Sequence, residues 1–90
     1  MAKVVWRSKA LDELTDITLY IRGFDPAAAL RTRDRISDLG DSLIHFPRRG
    51  RPLDNGLREL TGAPPYVITY AVADDVVTIL SIRHGARNLD

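Results

Sequence analysis

"YVITYAVADDVVTILSIRH", Tyr66 to His84, decides the fold of this 90-residue chain. Tyr66–Val72 is β-branched or aromatic almost throughout, a composition that fits a pleated, buried strand. Asp74-Asp75 is a tight two-residue turn, and Val76–Ile82 is the return strand. Both runs are apolar enough to be central strands. The return strand then delivers Arg83, His84 and Arg87 within five residues. Three nitrogen-rich side chains at the end of a core strand form either a solvated exit or a surface for something negatively charged.

Upstream, "LRELT" from Leu57 reads as a shorter strand, broken by "GAPP". Before it, "PRRGRPLDNG", Pro47 to Gly56, holds two Pro, two Gly, an Asp and an Asn, the composition of a loop. Its Arg48, Arg49 and Arg51 read equally well as a solvated loop or as a binding element. Earlier still, Ala10, Leu14, Ile17, Ile21 and Phe24 recur at helical spacing. Ser8 is the expected N-cap, Asp12 and Glu13 suit the positive end of the helix, and Gly23 is a terminator. Asp25 and Pro26 restart a helix as cap and first residue. Ala29, Ile36, Leu39, Leu43 and Phe46 carry its apolar stripe to Pro47. So short a link forces the two helices into an antiparallel hairpin. With "KVVW", Lys3 to Trp6, as an opening strand, the order is β-α-α-β-β-β. The fold class is α+β, a helical hairpin packed on a largely antiparallel sheet in one domain, residues 1–90.

A domain this small buries only roughly 60–65% of the surface its unfolded chain exposes, so a partner is the expected external support. There is no cysteine, and His45 and His84 alone are too few for a metal site; no metal and no cofactor are expected. Thirteen Lys plus Arg against twelve Asp plus Glu give a net charge of +1, which excludes nucleic-acid binding by bulk charge. Eleven of the thirteen cations are Arg, the residue suited to bidentate contacts with carboxylate or phosphate. No apolar run approaches the ~20 residues of a membrane span. "MAKVVWRSKA" has no signal-peptide core, so a soluble cytoplasmic protein is expected.

Taken in order, "VVW", "YIRGFDPAAA", "FPRRGRPL", "RELTGAPPYVITYAV" and "VTILSIRHGAR" resemble the RelE/ParE superfamily, the toxins of type II toxin–antitoxin systems. The likeness spans nearly the whole chain, and "DPAAA" and "ILSIRHGAR" are similar to the ParE branch. That resemblance implies inhibition of DNA gyrase by binding. It also implies a cognate, ParD-like antitoxin that wraps the toxin with its C-terminal segment in a hetero-oligomer. RelE-like members instead cut messenger RNA on the ribosome, and a non-toxic interaction module of the same fold is a third reading.

Cleavage of RNA needs a base, an acid and cations for the developing charge. The candidates are His84, Glu59, Arg58 and Arg87, with Tyr66 or Tyr70 to stack on a base. Arg58 and Glu59, however, are strand neighbours that point to opposite faces, and Arg83 and His84 also alternate. No catalytic residue is therefore expected. Arg83, His84, Arg87 and Arg58 are assigned to the target; Arg48, Arg49, Arg51, Tyr66, Tyr70 and Arg83 are assigned to the antitoxin.

Overall fold

The computed structural model describes residues 1–85. Arg87 lies outside them. The order is β1 (Lys3–Trp6), α1 (Ser8–Arg22), α2 (Pro26–Asp41), β2 (Arg51–Pro52), β3 (Leu57–Ala63), β4 (Tyr66–Ala73) and β5 (Val76–His84). One-turn 3₁₀ segments at Ser42–Ile44 and Asp54–Gly56 bracket β2. The strands form one sheet in the order β1-β5-β4-β3-β2, with β4 and β5 inside it, as their apolar sequences require. Among the described residues no helix is long and apolar enough to cross a membrane.

Three details differ from the sequence reading. The loop contains a two-residue edge strand, β2, which pairs Arg51 with Glu59 and Pro52 with Arg58. Strand β3 does not stop before "GAPP" but runs on through Gly62 to Ala63, with an irregularity after Leu60. Gly62 sits at φ 153°, a backbone state that side chains resist, and this lets the strand carry the bulge. Helix α1 has Arg7 rather than Ser8 at its N-cap, without a side-chain hydrogen bond. The second helix starts as expected: Asp25 Oδ1 accepts from the Ala28 N–H at 3.0 Å, and Pro26 occupies the first turn.

The helices cover one face of the sheet. Ala10, Leu14, Ile36 and Leu43 join Leu60, Ile68, Tyr70, Val77, Ile79 and Ile82 in the core. At about 25 cal/mol per Å² of apolar surface, such burial is the main favourable term for so small a domain. Ile17 and Leu39 pack on this core only in part, and Ile21 is likewise half-buried. Phe24 and Phe46 project outward, 69% and 65% exposed. The cause at Phe24 is geometric. Strand β1 pairs with β5 only from Val76 to Ile79, so among the described residues the second half of α1 overhangs a part of the sheet where β5 is paired on one side only, with β4.

Candidate functional site

Alternation along the strands sorts the polar side chains onto two surfaces. Tyr70 pairs with Arg58, and Glu59 pairs with Thr69, so neighbouring residues of β3 turn to opposite faces as the sequence requires. On the face away from the helices, a polar belt crosses four strands. Glu59 on β3 accepts from Arg51 on β2 at 2.6 Å and from Arg83 on β5 at 2.7 Å. Arg83 also donates to Thr69 Oγ1 on β4 at 3.1 Å. The hydrogen bond from Arg83, then that from Arg51, holds the Glu59 carboxyl below its ordinary value against the opposing effect of burial.

The basic loop is fastened from beneath. The Gly50 N–H donates to the Tyr70 hydroxyl at 2.9 Å. Arg58 donates to the Gly50 carbonyl at 2.8 Å and to the Arg48 carbonyl at 3.0 Å. There is no room for a side chain at position 50, because a Cβ there would stand 2.7 Å from the Tyr70 ring and 2.9 Å from the Glu59 carbonyl. Two assignments change as a result. Tyr70 is fully buried and presents nothing to an antitoxin or a base. Its hydroxyl matches a main-chain N–H, which is why a polar aromatic occupies the core. Arg58 is half-buried and turned onto main-chain carbonyls, not outward to a target. Arg48, Arg49 and Arg51 are exposed on the fastened loop, Arg49 donating to Ser42 Oγ at 2.9 Å.

The second surface is a groove of about 670 Å³ between the overhanging half of α1 and the end of β5. Ile17, Tyr20, Ile21, Phe24, Tyr66 and Ile82 make its apolar lining, and Glu13, Asp16, Arg83 and His84 its polar rim. Tyr20 and Phe24, one helical turn apart, meet edge to face at 5.4 Å and are 66% and 69% exposed. Tyr66 meets the His84 ring edge to face at 5.5 Å across the β4–β5 pair. Glu13 Oε1 accepts the backbone N–H of Ile82 at 2.8 Å, and Oε2 accepts from Lys9 at 3.1 Å.

The structure thus gathers Arg51, Glu59 and Arg83 on one face and gives His84 and Tyr66 to the groove. The sequence reading gave Glu13 only a role at the helix end and Phe24 only a place in the apolar stripe, and it did not name Tyr20. The available signal was "LYIRGF", two aromatics one turn apart at the end of a helix whose first strand is only four residues long.

A helical hairpin packed against a five-stranded sheet is also the fold of known proteins. Residues 4–89 match the family described as the ParE toxin of type II toxin-antitoxin system, parDE. The chain belongs to this ParE toxin family. Membership carries a cognate antitoxin as partner. The chain is 52% identical over 87 residues to "Toxin RelE2" of Caulobacter vibrioides, covering 97% of this chain and 99% of the relative. It is 39% identical over 85 residues to "Putative toxin Y4kP" of Sinorhizobium fredii, covering 92% and 88%. Among solved structures it is similar to the chromosomal ParDE TA system from P. aeruginosa, with TM-score 0.84, 26% identity, and 93% and 96% of the two chains covered.

Proposed function

We propose that this ParE-family toxin acts by binding DNA gyrase and not by cutting RNA, and that a ParD-like antitoxin neutralises it by laying its C-terminal segment over the toxin in a cytoplasmic hetero-oligomer. The observation that carries this reading is the state of Glu59. A general base works best with a pKa near the operating pH, and two guanidinium groups drive Glu59 the other way. The other titratable candidate, His84, meets Tyr66 at the groove, on the face of the sheet opposite to Glu59. Acid and base are therefore not presented to one phosphate. What the outer face does offer is charge-assisted donors, which recognise carboxylate or phosphate without chemistry. Arg83 is the residue assigned to the target there, with Arg48, Arg49 and Arg51 assigned to the acidic side chains of the antitoxin.

The Caulobacter relative's name, "Toxin RelE2", supports the second reading, a ribosome-dependent endoribonuclease. One pair of assays separates the two. Purified toxin is titrated into a gyrase supercoiling reaction and, in parallel, into ribosomes translating a defined messenger. Loss of supercoiling with intact messenger is expected. Cleaved messenger with normal supercoiling would replace the proposal with the nuclease reading, and inactivity in both would favour a non-toxic interaction module.

A further inference from the structure

We propose that the outer face of α1 pairs with the same face of a second toxin copy, as an antiparallel helix pair whose twofold axis passes through Thr15. The pairing belongs to the toxin itself and goes beyond the target and antitoxin readings above.

Helix α1 turns Ala10 and Leu14 into the core and Ile17, Tyr20 and Phe24 to the groove. Helical spacing then places Ser8, Leu11, Asp12, Thr15, Leu19 and Arg22 on a third face, and all six are exposed. Leu11 and Leu19 stand 47% and 49% exposed. With Thr15 they edge a recess of about 280 Å³, which the buried Leu14 and Arg33 of α2 also line. One exposed leucine needs no explanation; two placed evenly about a short side chain, beside a hollow, form a patch.

This face reads alike from either end. Leu11 and Leu19 each lie four residues from Thr15, and Ser8 and Arg22 each lie seven. When a second α1 runs antiparallel across Thr15, Leu11 comes level with the partner's Leu19, and Leu19 with the partner's Leu11. The row Leu11–Thr15–Leu19 is an i, i+4 ridge, and two such ridges interdigitate with helix axes about 8–10 Å apart. A short residue at the crossing point suits the close end of that range. One patch that complements itself is what a closed dimer requires.

Charge selects a copy of this chain over another apolar partner. Asp12 and Arg22 are exposed, and among the described residues neither takes part in a salt bridge. Antiparallel pairing brings Arg22 level with the partner's Ser8, about 6 Å along the axis from the partner's Asp12. Helical side chains lean toward their own N-terminus, so in an antiparallel pair these two lean toward each other. The twofold axis makes the contact twice. Arg33, beside the recess, is already met by Asp34 at 3.1 Å and adds no unbalanced charge. A uniformly acidic or basic partner would suit one end of the face and oppose the other. A helix of 15 residues is only about 22 Å long, so the interface is small and the dimer dissociates on the order of 10–100 µM.

Sedimentation velocity of the full-length toxin over about 1–500 µM tests this, and a monomer–dimer equilibrium is expected. Asp12→Arg and Arg22→Asp should each weaken the dimer at least about tenfold, because like charges then meet at both contacts. Both reversals also oppose the helix dipole and cost some stability. The deciding sample is therefore an equimolar mixture of the two variants. In the mixed dimer opposite charges meet at both contacts again, and affinity should return to within about threefold of the parent. The chain has no cysteine, so Thr15→Cys gives a second readout. On the twofold axis the two sulfurs can join, and oxidation should yield a disulfide-linked dimer, whereas Tyr20→Cys on the groove side should not. Four results would overturn the inference: a monomer at every concentration, a dimer indifferent to both reversals, a mixture no tighter than either variant alone, or reversals that only weaken antitoxin binding, which would give the face to the antitoxin.

Discussion

Replacing Tyr70 with Phe removes one oxygen from the centre of the protein, and the structure fixes what that costs. Tyr70 is fully buried, and the buried Gly50 N–H donates to the Tyr70 hydroxyl at 2.9 Å. Without that acceptor the buried N–H is left close to its full desolvation penalty, about 1–3 kcal/mol. The lost van der Waals contact of one atom adds little beside that. For a domain of this size each kcal/mol lowers Tm by roughly 4–8 °C, so a mid-range loss of about 2 kcal/mol predicts a drop of about 8–16 °C. Thermal unfolding followed by circular dichroism, with a urea titration at 25 °C, measures both quantities. Antitoxin affinity, taken where the variant is fully folded, should stay within about twofold because the ring itself is out of a partner's reach. A variant as stable as the parent to within about 0.5 kcal/mol would refute the buried hydrogen bond. A stable variant with weakened antitoxin binding would return Tyr70 to the surface role that its sequence suggests.

Gly50→Ala should be at least as damaging, about 1–3 kcal/mol, because the added methyl meets the Tyr70 ring and the Glu59 carbonyl below 3 Å; urea midpoints check it. Glu59→Gln should flatten part of the acid limb of the stability curve. The folded value of Glu59 lies below its ordinary 4.5, so its contribution is present above that pH and is lost as pH falls through the folded value. Unfolding of both proteins across the acid range tests this, and identical curves would count against it. His84→Ala, scored by growth arrest at matched soluble expression, should leave toxicity largely intact, whereas Arg83→Glu should weaken it strongly by reversing charge on the outer face. Toxicity abolished by His84→Ala alone, with fold and antitoxin binding preserved, would favour the nuclease reading.

The elements were legible because periodicity in this chain is simple. The β4–β5 hairpin is apolar nearly throughout, and the α1 stripe from Ala10 to Ile21 keeps helical spacing. Alternation alone also separates Arg58 from Glu59 and Arg83 from His84. Periodicity does not say where coverage ends. Tyr66 and Tyr70 share one face of β4, yet only Tyr70 is fully buried, while Tyr66 sits half-buried at the groove. The difference is set by how far β1 and the helices extend over the sheet, a property of three other segments. Ile17, Ile21 and Phe24 belong to the same stripe as Leu14 and lose cover for the same reason.

Long-range hydrogen bonds were hidden altogether. Arg58 reads as an outward strand cation, but its partners are carbonyls eight and ten residues back in a loop with no periodicity. Once Gly50 lies against Tyr70 those carbonyls are brought under β3, and a planar donor with several N–H groups is the residue that can hold two of them at once. Glu13 shows the same limit in another form. On helical spacing it is one more rim residue beside the Ala10–Leu14–Ile17 stripe, equivalent to Asp12 or Asp16. Only the early end of β1, four residues against nine in β5, leaves Ile82 with an edge for it to meet. A short first strand therefore does two things at once: it opens the groove, and it turns an ordinary surface carboxylate into a sheet contact.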